Sequence, residues 1–169
     1  MEENDSADKI KGLSEFIEWV DNYCNEHHVP DPQFNGSDSF ILQMDYTALL
    51  DLSAEECFAN AICLMNYASF LQKKADTLNG HLSWCIEALD YLFSQQWDNY
   101  SGKFTPKEVV KKSIIQGNSY AQELEKCRLR LKSVYDITIE QCKDIKKRVN
   151  LLQDLGKNRI VTGNRNYLV

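Results

Sequence analysis

Six lysines, Lys111, Lys112, Lys126, Lys132, Lys146 and Lys147, share one edge when the heptad is written over residues 106 to 152. The chemistry such a row offers is electrostatic. A lysine placed near a phosphate releases condensed counterions, so a stripe of them can follow a phosphate backbone. Glu125 and Glu140 are the acidic neighbours on that edge, whereas Glu108, Glu123, Asp136 and Asp144 gather on the adjoining one. The same residues also read as a solvated face, or one that pairs with an acidic neighbour. Further on, Lys157, Asn158, Arg159, Arg165, Asn166 and Tyr167 interleave basic, amide and aromatic side chains, a mixture that grips a single strand by charge and stacking, although a frayed terminus has the same look. With Lys103, which falls in a predicted turn, the candidate nucleic-acid contacts are Lys103, Lys111, Lys112, Lys126, Lys132, Lys146, Lys147, Lys157, Arg159 and Arg165.

Covalent chemistry has less to work with. Cys24 and His27 have the spacing of a metal-binding pair on a helix, but a second pair is missing, since His28 adjoins the first and the remaining histidine is His81. The sequence holds no GxSxG, no phosphate-binding GKS or GKT loop, no HExxH and no GxGxxG. No catalytic, cofactor-binding or metal-ligating residue is assigned, and the chain is expected to need no cofactor and to be no enzyme.

The elements that must position the lysines are helices. Ile10, Leu13, Ile17, Val20 and Cys24 recur at three- and four-residue steps and predict a helix over about residues 8 to 27. Pro30, Pro32 and Asn35-Gly36-Ser37 mark a loop, after which Phe40, Leu42, Met44 and Tyr46 alternate as in a short strand or extended arm. Ser53 with Glu56 forms a capping box, followed by Cys57, Ala61, Leu64, Ala68, Leu71, Ala75, Leu78, Leu82, Cys85, Leu89 and Leu92 at four-three spacing. That stripe predicts one helix of about 43 residues, with a kink allowed at Gly80.

Residues 97 to 104 break the stripe and read as a hairpin loop. Thr105-Pro106-Lys107-Glu108 then supplies an N-cap, a first-position proline and a capping-box glutamate. Ala121, Leu124, Arg128, Leu131, Tyr135, Thr138, Cys142, Ile145, Val149 and Leu152 carry the returning stripe to an end near Gly156, with Gly117-Asn118 a place where its first turns break. The fold expected is therefore all-α in the main: a long antiparallel helical hairpin or coiled coil with a short N-terminal helix and an extended arm. Its parts are an acidic helix and arm over 1–52, the hairpin over 53–155 and a basic C-terminal tail over 156–169.

At 169 residues, with 43% hydrophobic and 26% charged side chains, the composition is that of one globular domain. The acidic start, Met1-Glu2-Glu3-Asn4-Asp5, is unlike a secretory signal, and no apolar run is long enough to cross a bilayer. Six scattered cysteines without CxxC pairs fit reduced thiols in a cytoplasmic protein. The net charge of -6 conceals a polarity: residues 1 to 100 hold four basic and 18 acidic side chains, and residues 101 to 169 hold 15 basic and seven acidic. Either the basic half meets an anionic partner, or the two halves pair within or between subunits. In a further reading, the acidic first 50 or so residues cover the basic stripe until a partner displaces them.

Asn60-Ala61, Tyr67, Phe70-Leu71-Gln72-Lys73, Trp97-Asp98-Asn99-Tyr100-Ser101-Gly102 and Lys157-Asn158-Arg159, in that order, resemble the UvsY-type recombination mediators of T4-like phages over about 110 residues. The resemblance implies a homo-oligomer, typically a ring, that binds single-stranded DNA, contacts a single-stranded-DNA-binding protein and helps a RecA-like recombinase replace it. It places the protein in the host cell cytoplasm if phage-encoded. That family is basic immediately before the Tyr-Ser-Gly turn, whereas this chain reads Phe93-Ser94-Gln95-Gln96, so the lysine stripe or the tail would supply the charge. The alternative is a non-catalytic adaptor that assembles through coiled-coil contacts without binding nucleic acid.

Overall fold

A computed structural model describes residues 12–27, 40–102 and 104–166, with side chains undescribed at Phe40, Gln43, Tyr46 and 163–166. The described elements are all helical: α1 (Leu13–Glu26), α2 (Phe40–Gln43), α3 (Tyr46–Asp51), α4 (Ala54–Tyr100), α5 (Lys107–Gly117) and α6 (Ser119–Asn166). They form two compact units. One holds α1, α4 from Asp76 onward, α5 and α6 as far as Asp136; the other holds α2, α3, α4 up to Ala75 and α6 from Ile137. Both long helices thread through both units, and together they are the predicted antiparallel hairpin.

The first unit buries Leu82, Cys85, Leu89 and Phe93 of α4 against Ala121, Leu124, Cys127 and Leu131 of α6, with Leu13 of α1 and Val110 and Ile114 of α5 closing the core. Gly12 lies against Trp84 and Phe16 against His81, so α1 runs opposite to α4. Gly12 has φ 87°, a left-handed conformation that a residue with a Cβ resists, and it sets the entry to α1. The part of the predicted helix before Gly12 lies outside the described residues.

The chain reversal differs from the predicted loop. The carbonyl of Gly102 accepts the N–H of Thr105 at 3.1 Å, and the Thr105 hydroxyl accepts the N–H of Gly102 at 3.1 Å. Tied into this turn, Thr105 does not cap α5, whose N-cap is Pro106 and makes no side-chain capping bond. Lys111 then meets Asp90 and Phe93, while the end of α5 at Gly117 sits beneath Tyr100, so α5 runs parallel to the end of α4. The antiparallel return begins one residue later. Asn118 leaves the helical region (φ -128°, ψ 112°), its Oδ1 accepts the N–H of Ala121 at 3.1 Å, and Gln122 donates back to the Gln116 carbonyl at 2.9 Å. The asparagine therefore caps α6 as it breaks the chain.

The second unit packs Cys57, Ala61, Leu64, Ala68 and Leu71 of α4 against Cys142, Ile145, Val149 and Leu152 of α6. The Cys142 thiol donates to the Ala68 carbonyl at 3.3 Å, a contact possible only where both helices present small side chains. The predicted capping box at its head is formed: Glu56 N–H donates to Ser53 Oγ at 3.2 Å, and Ser53 N–H to Glu56 Oε2 at 2.7 Å. α6 does not stop near Gly156. It continues helically to Asn166, and Gly156 is instead a point of close approach, where an added Cβ would lie 3.0 Å from the Phe58 ring and 3.3 Å from the Cys57 Cβ.

The expected strand is absent among the described residues. Over 40–51 the chain forms α2 and α3 because Asp45 caps the latter, accepting the Ala48 N–H at 2.8 Å. Ile41 of α2, Leu49 of α3 and Leu52 just after it are buried with α4 and α6.

Two measurements follow from these elements. An added methyl at Gly80, in the middle of α4, would meet nothing within 4 Å. Gly80→Ala is thus expected to raise stability by about 0.5–1 kcal/mol in urea denaturation, and Gly156→Leu to lower it by about 1–3 kcal/mol. The Ala48 N–H, then the Thr47 hydroxyl, hold the Asp45 carboxyl below its ordinary 3.8. The Ser53 N–H, then its hydroxyl, hold Glu56 below its ordinary 4.5. Both groups bind protons less readily when folded, so their contribution is complete above about pH 4.5 and is lost as pH falls through the lowered values. Denaturation midpoints for D45N/E56Q should fall less steeply than the parent's between pH 6 and pH 3.

Candidate nucleic-acid interface

The candidate cations divide between the two units. In the first, Lys111 and Lys112 rise on the parallel helix α5, which follows the Gly102–Thr105 turn and begins at Lys107, a cation that the sequence reading left out. Lys111 Nζ stands 5.2 Å from the centroid of the Phe93 ring and 4.0 Å from Asp90 Oδ1. It overhangs an open groove of about 410 Å³ between α4, α5 and α6, with an apolar floor of Ile86, Leu89, Phe93 and Ile115 and walls that carry Lys112 and Arg128 as well as Asp90, Glu108 and Glu125. Arg128 is forked onto Glu125, with Nε at 2.7 Å and Nη2 at 2.8 Å. The heptad reading placed Arg128 in the core, but the neighbouring Cys127 is buried there instead. A thiol fits between close helices at no desolvation cost comparable to that of a guanidinium.

Along α6, most candidate lysines meet a carboxylate one turn away. Lys126 reaches Glu123 at 2.6 Å and Lys132 reaches Asp136 at 3.1 Å in the first unit. In the second, Lys147 reaches Asp144 at 2.8 Å and Lys157 reaches Asp154 at 3.5 Å. Lys146 donates to the Gln72 side chain of α4 at 3.0 Å. These are exposed same-helix pairs of the kind worth about 0.2–1 kcal/mol, so a phosphate can take the place of the carboxylate at little cost. No ion pair among the described residues engages Lys107, Lys112 or Arg130. Lys103 lies outside the described residues, as does the side chain of Arg165.

Arg159 behaves differently. Its Nη2 donates to the Leu50 carbonyl at the end of α3. Arg148, which sequence reasoning left out, does the same for α2: Nη1 donates to the Leu42 carbonyl at 2.8 Å and Nη2 to the Met44 carbonyl at 2.6 Å. The Nε atoms of both arginines are buried without a hydrogen-bond partner. The segment from Leu42 to Leu50 is thus held to α6 through main-chain carbonyls. The signal was faint: Arg148 precedes the buried Val149, on the flank of the seam, where an arginine can bury its stem and still reach a backbone oxygen.

Of the remaining reactive groups, most thiols are enclosed, whereas Cys63 is exposed. The cysteines are all free thiols, and Cys57, Cys85, Cys127 and Cys142 are buried. Cys85 donates its proton toward Cys127, which pushes the Cys85 thiol up and draws Cys127 down, with no open path to either sulphur. Among the described residues no group of three or more His, Cys, Asp and Glu side chains gathers as a metal site, and no helix is long and apolar enough to cross a membrane. The arrangement suits non-covalent binding of anions along α5 and α6. Comparison of the chain with protein-family models, with curated proteins and with solved structures finds no match.

If Arg148 is the brace for α2, Arg148→Ala strands two partly enclosed carbonyls and should cost about 2–3 kcal/mol in chemical denaturation. Arg148→Lys, lacking the fork, should recover less than half of that.

Proposed function

We propose that this chain is a non-catalytic accessory protein of the recombination-mediator kind: it assembles with copies of itself, binds single-stranded DNA by charge and assists the loading of a RecA-like recombinase. The observation that carries the reading is the pair of lysines that α5 sets at the rim of the groove. Lys111 and Lys112 stand over an apolar floor, Lys107 lies one turn earlier on the same helix, and neither Lys107 nor Lys112 has an ion pair among the described residues. A phosphate backbone on the rim with bases toward Ile86 and Phe93 would satisfy both surfaces. The resemblance of the Trp97–Gly102 segment and the helical hairpin to UvsY-type mediators supports the same reading. A single-stranded-DNA-binding protein and the recombinase are the protein partners it implies.

The alternative, an adaptor that assembles without nucleic acid, draws support from a separate feature. Ile62 is 63% exposed and Met65 41% exposed on the outward face of α4, next to one another along the helix. Two apolar side chains held in water fit a contact with another copy.

Titration of a labelled oligothymidylate at 50 and 200 mM salt separates the two. If three lysines meet phosphates, affinity should drop by about tenfold to twentyfold between the two salts. K107E/K111E/K112E should abolish most binding at low salt without a change in helicity. An oligomer that is broken by I62E/M65E in light scattering, with no oligonucleotide affinity in the parent chain, would establish the adaptor.

A further inference from the structure

Helix α1 presents an aromatic ladder to solvent. Phe16 and Trp19 stack with centroids 6.4 Å apart, Trp19 and Tyr23 lie 5.9 Å apart, and Tyr23 and His27 4.2 Å apart. The lower end is anchored, because Leu13 is fully buried and Phe16 packs edge-on to His81 of α4. The upper rungs are not: Trp19 is 63% and Tyr23 48% exposed. Neither ring is needed to close the core beneath, which Leu13, Ile17 and Phe16 already reach.

The charge beside the ladder indicates what would cover it. α1 contains Glu15, Glu18, Asp21 and Glu26 and neither lysine nor arginine. At 100° per residue, Glu15 and Glu26 share the row that adjoins Trp19 and Tyr23, separated by Asn22. Aromatic faces with a carboxylate row alongside are complementary to a guanidinium, which stacks its plane on a ring and directs its N–H fork at a carboxylate. A nucleic acid would stack on the same rings, but its phosphates would face Glu15, Glu18 and Glu26.

We propose that the exposed face of α1, built by Trp19 and Tyr23 with Glu15 and Glu26, is a docking site for an arginine-rich segment of a partner protein. The proposal stands apart from the DNA reading, since it uses neither α5 nor α6. The rungs are held at fixed spacing on a helix, so little ordering is required when the segment arrives.

The test is a titration of the full chain with fluorescein-labelled octa-arginine and octa-lysine. Octa-arginine should bind the more tightly, W19A/Y23A should weaken it by about fivefold to thirtyfold, and K107E/K111E/K112E should not weaken it. W19F/Y23F keeps the stacked faces and should retain affinity within about threefold, which distinguishes lost stacking from lost folding. Equal binding of the two peptides, unmoved by W19A/Y23A, would reduce the effect to net charge and overturn the proposal. It would equally be overturned if W19A/Y23A altered oligonucleotide affinity, or changed the molar mass in solution, without affecting octa-arginine.

Discussion

The structure depends on the closeness of α4 and α6. Wherever the two helices meet, one of them presents alanine or cysteine: Ala61 and Ala68 in one unit, Ala121, Cys85 and Cys127 in the other. Small side chains let the backbones approach until a thiol touches the opposite main chain, as Cys142 does at the Ala68 carbonyl. At such a separation every methylene counts, and neighbouring leucines interlock on either side. Cys57, Cys85, Cys127 and Cys142 are therefore packing residues. Their chemistry is suppressed by the same burial that makes them useful.

Close backbones at the seam also decide where charge can go. Cations are pushed to the flanks, where they either pair along their own helix or reach sideways. Lys126, Lys132, Lys147 and Lys157 do the first, and Arg148 and Arg159 do the second. The sideways pair recruits the segment between α2 and α3, whose Ile41, Leu49 and Leu52 complete the core. Among the described residues, contacts between the acidic and the basic half include the ion pair of Asp90 with Lys111 and two guanidinia on backbone oxygens. Those oxygens lie near helix ends, where carbonyls lack intrahelical partners.

Much of this was legible in the residues. The four-three stripe gave α4 and most of α6, the Ser53–Glu56 box marked the start of α4, and Gly117-Asn118 was the right place to look for a break. The misreadings share one cause: local signals with more than one use. Thr105 has the chemistry of a helix cap but ties a turn, and Gly156 has the freedom of a helix end but serves close packing. Phe40 to Tyr46 alternates over too few residues to outweigh the cap at Asp45. Arg128 and Cys127 satisfy the heptad equally, and only desolvation separates them. Of the candidate cations, those on α5 became more interesting and Arg159 less so, because sequence cannot say which guanidinium finds a carbonyl. Nor could it show that α5 runs parallel to the end of α4.

The reversal at Asn118 also orders the folding problem. Contacts that cross it grow steadily more remote: Cys85 with Cys127, then Ala68 with Cys142 at a separation of 74 residues, and finally Leu50 with Arg159 at 109. Each closure leaves only a short further loop to the next, so the entropy of joining distant residues is met in small steps. Assembly then resembles a zip fastener drawn away from the bend. On the ribosome the consequence is a delay: the stripe of α4 is complete long before its counterpart emerges, and α3 waits for its guanidinium until 109 residues beyond Leu50 have been made.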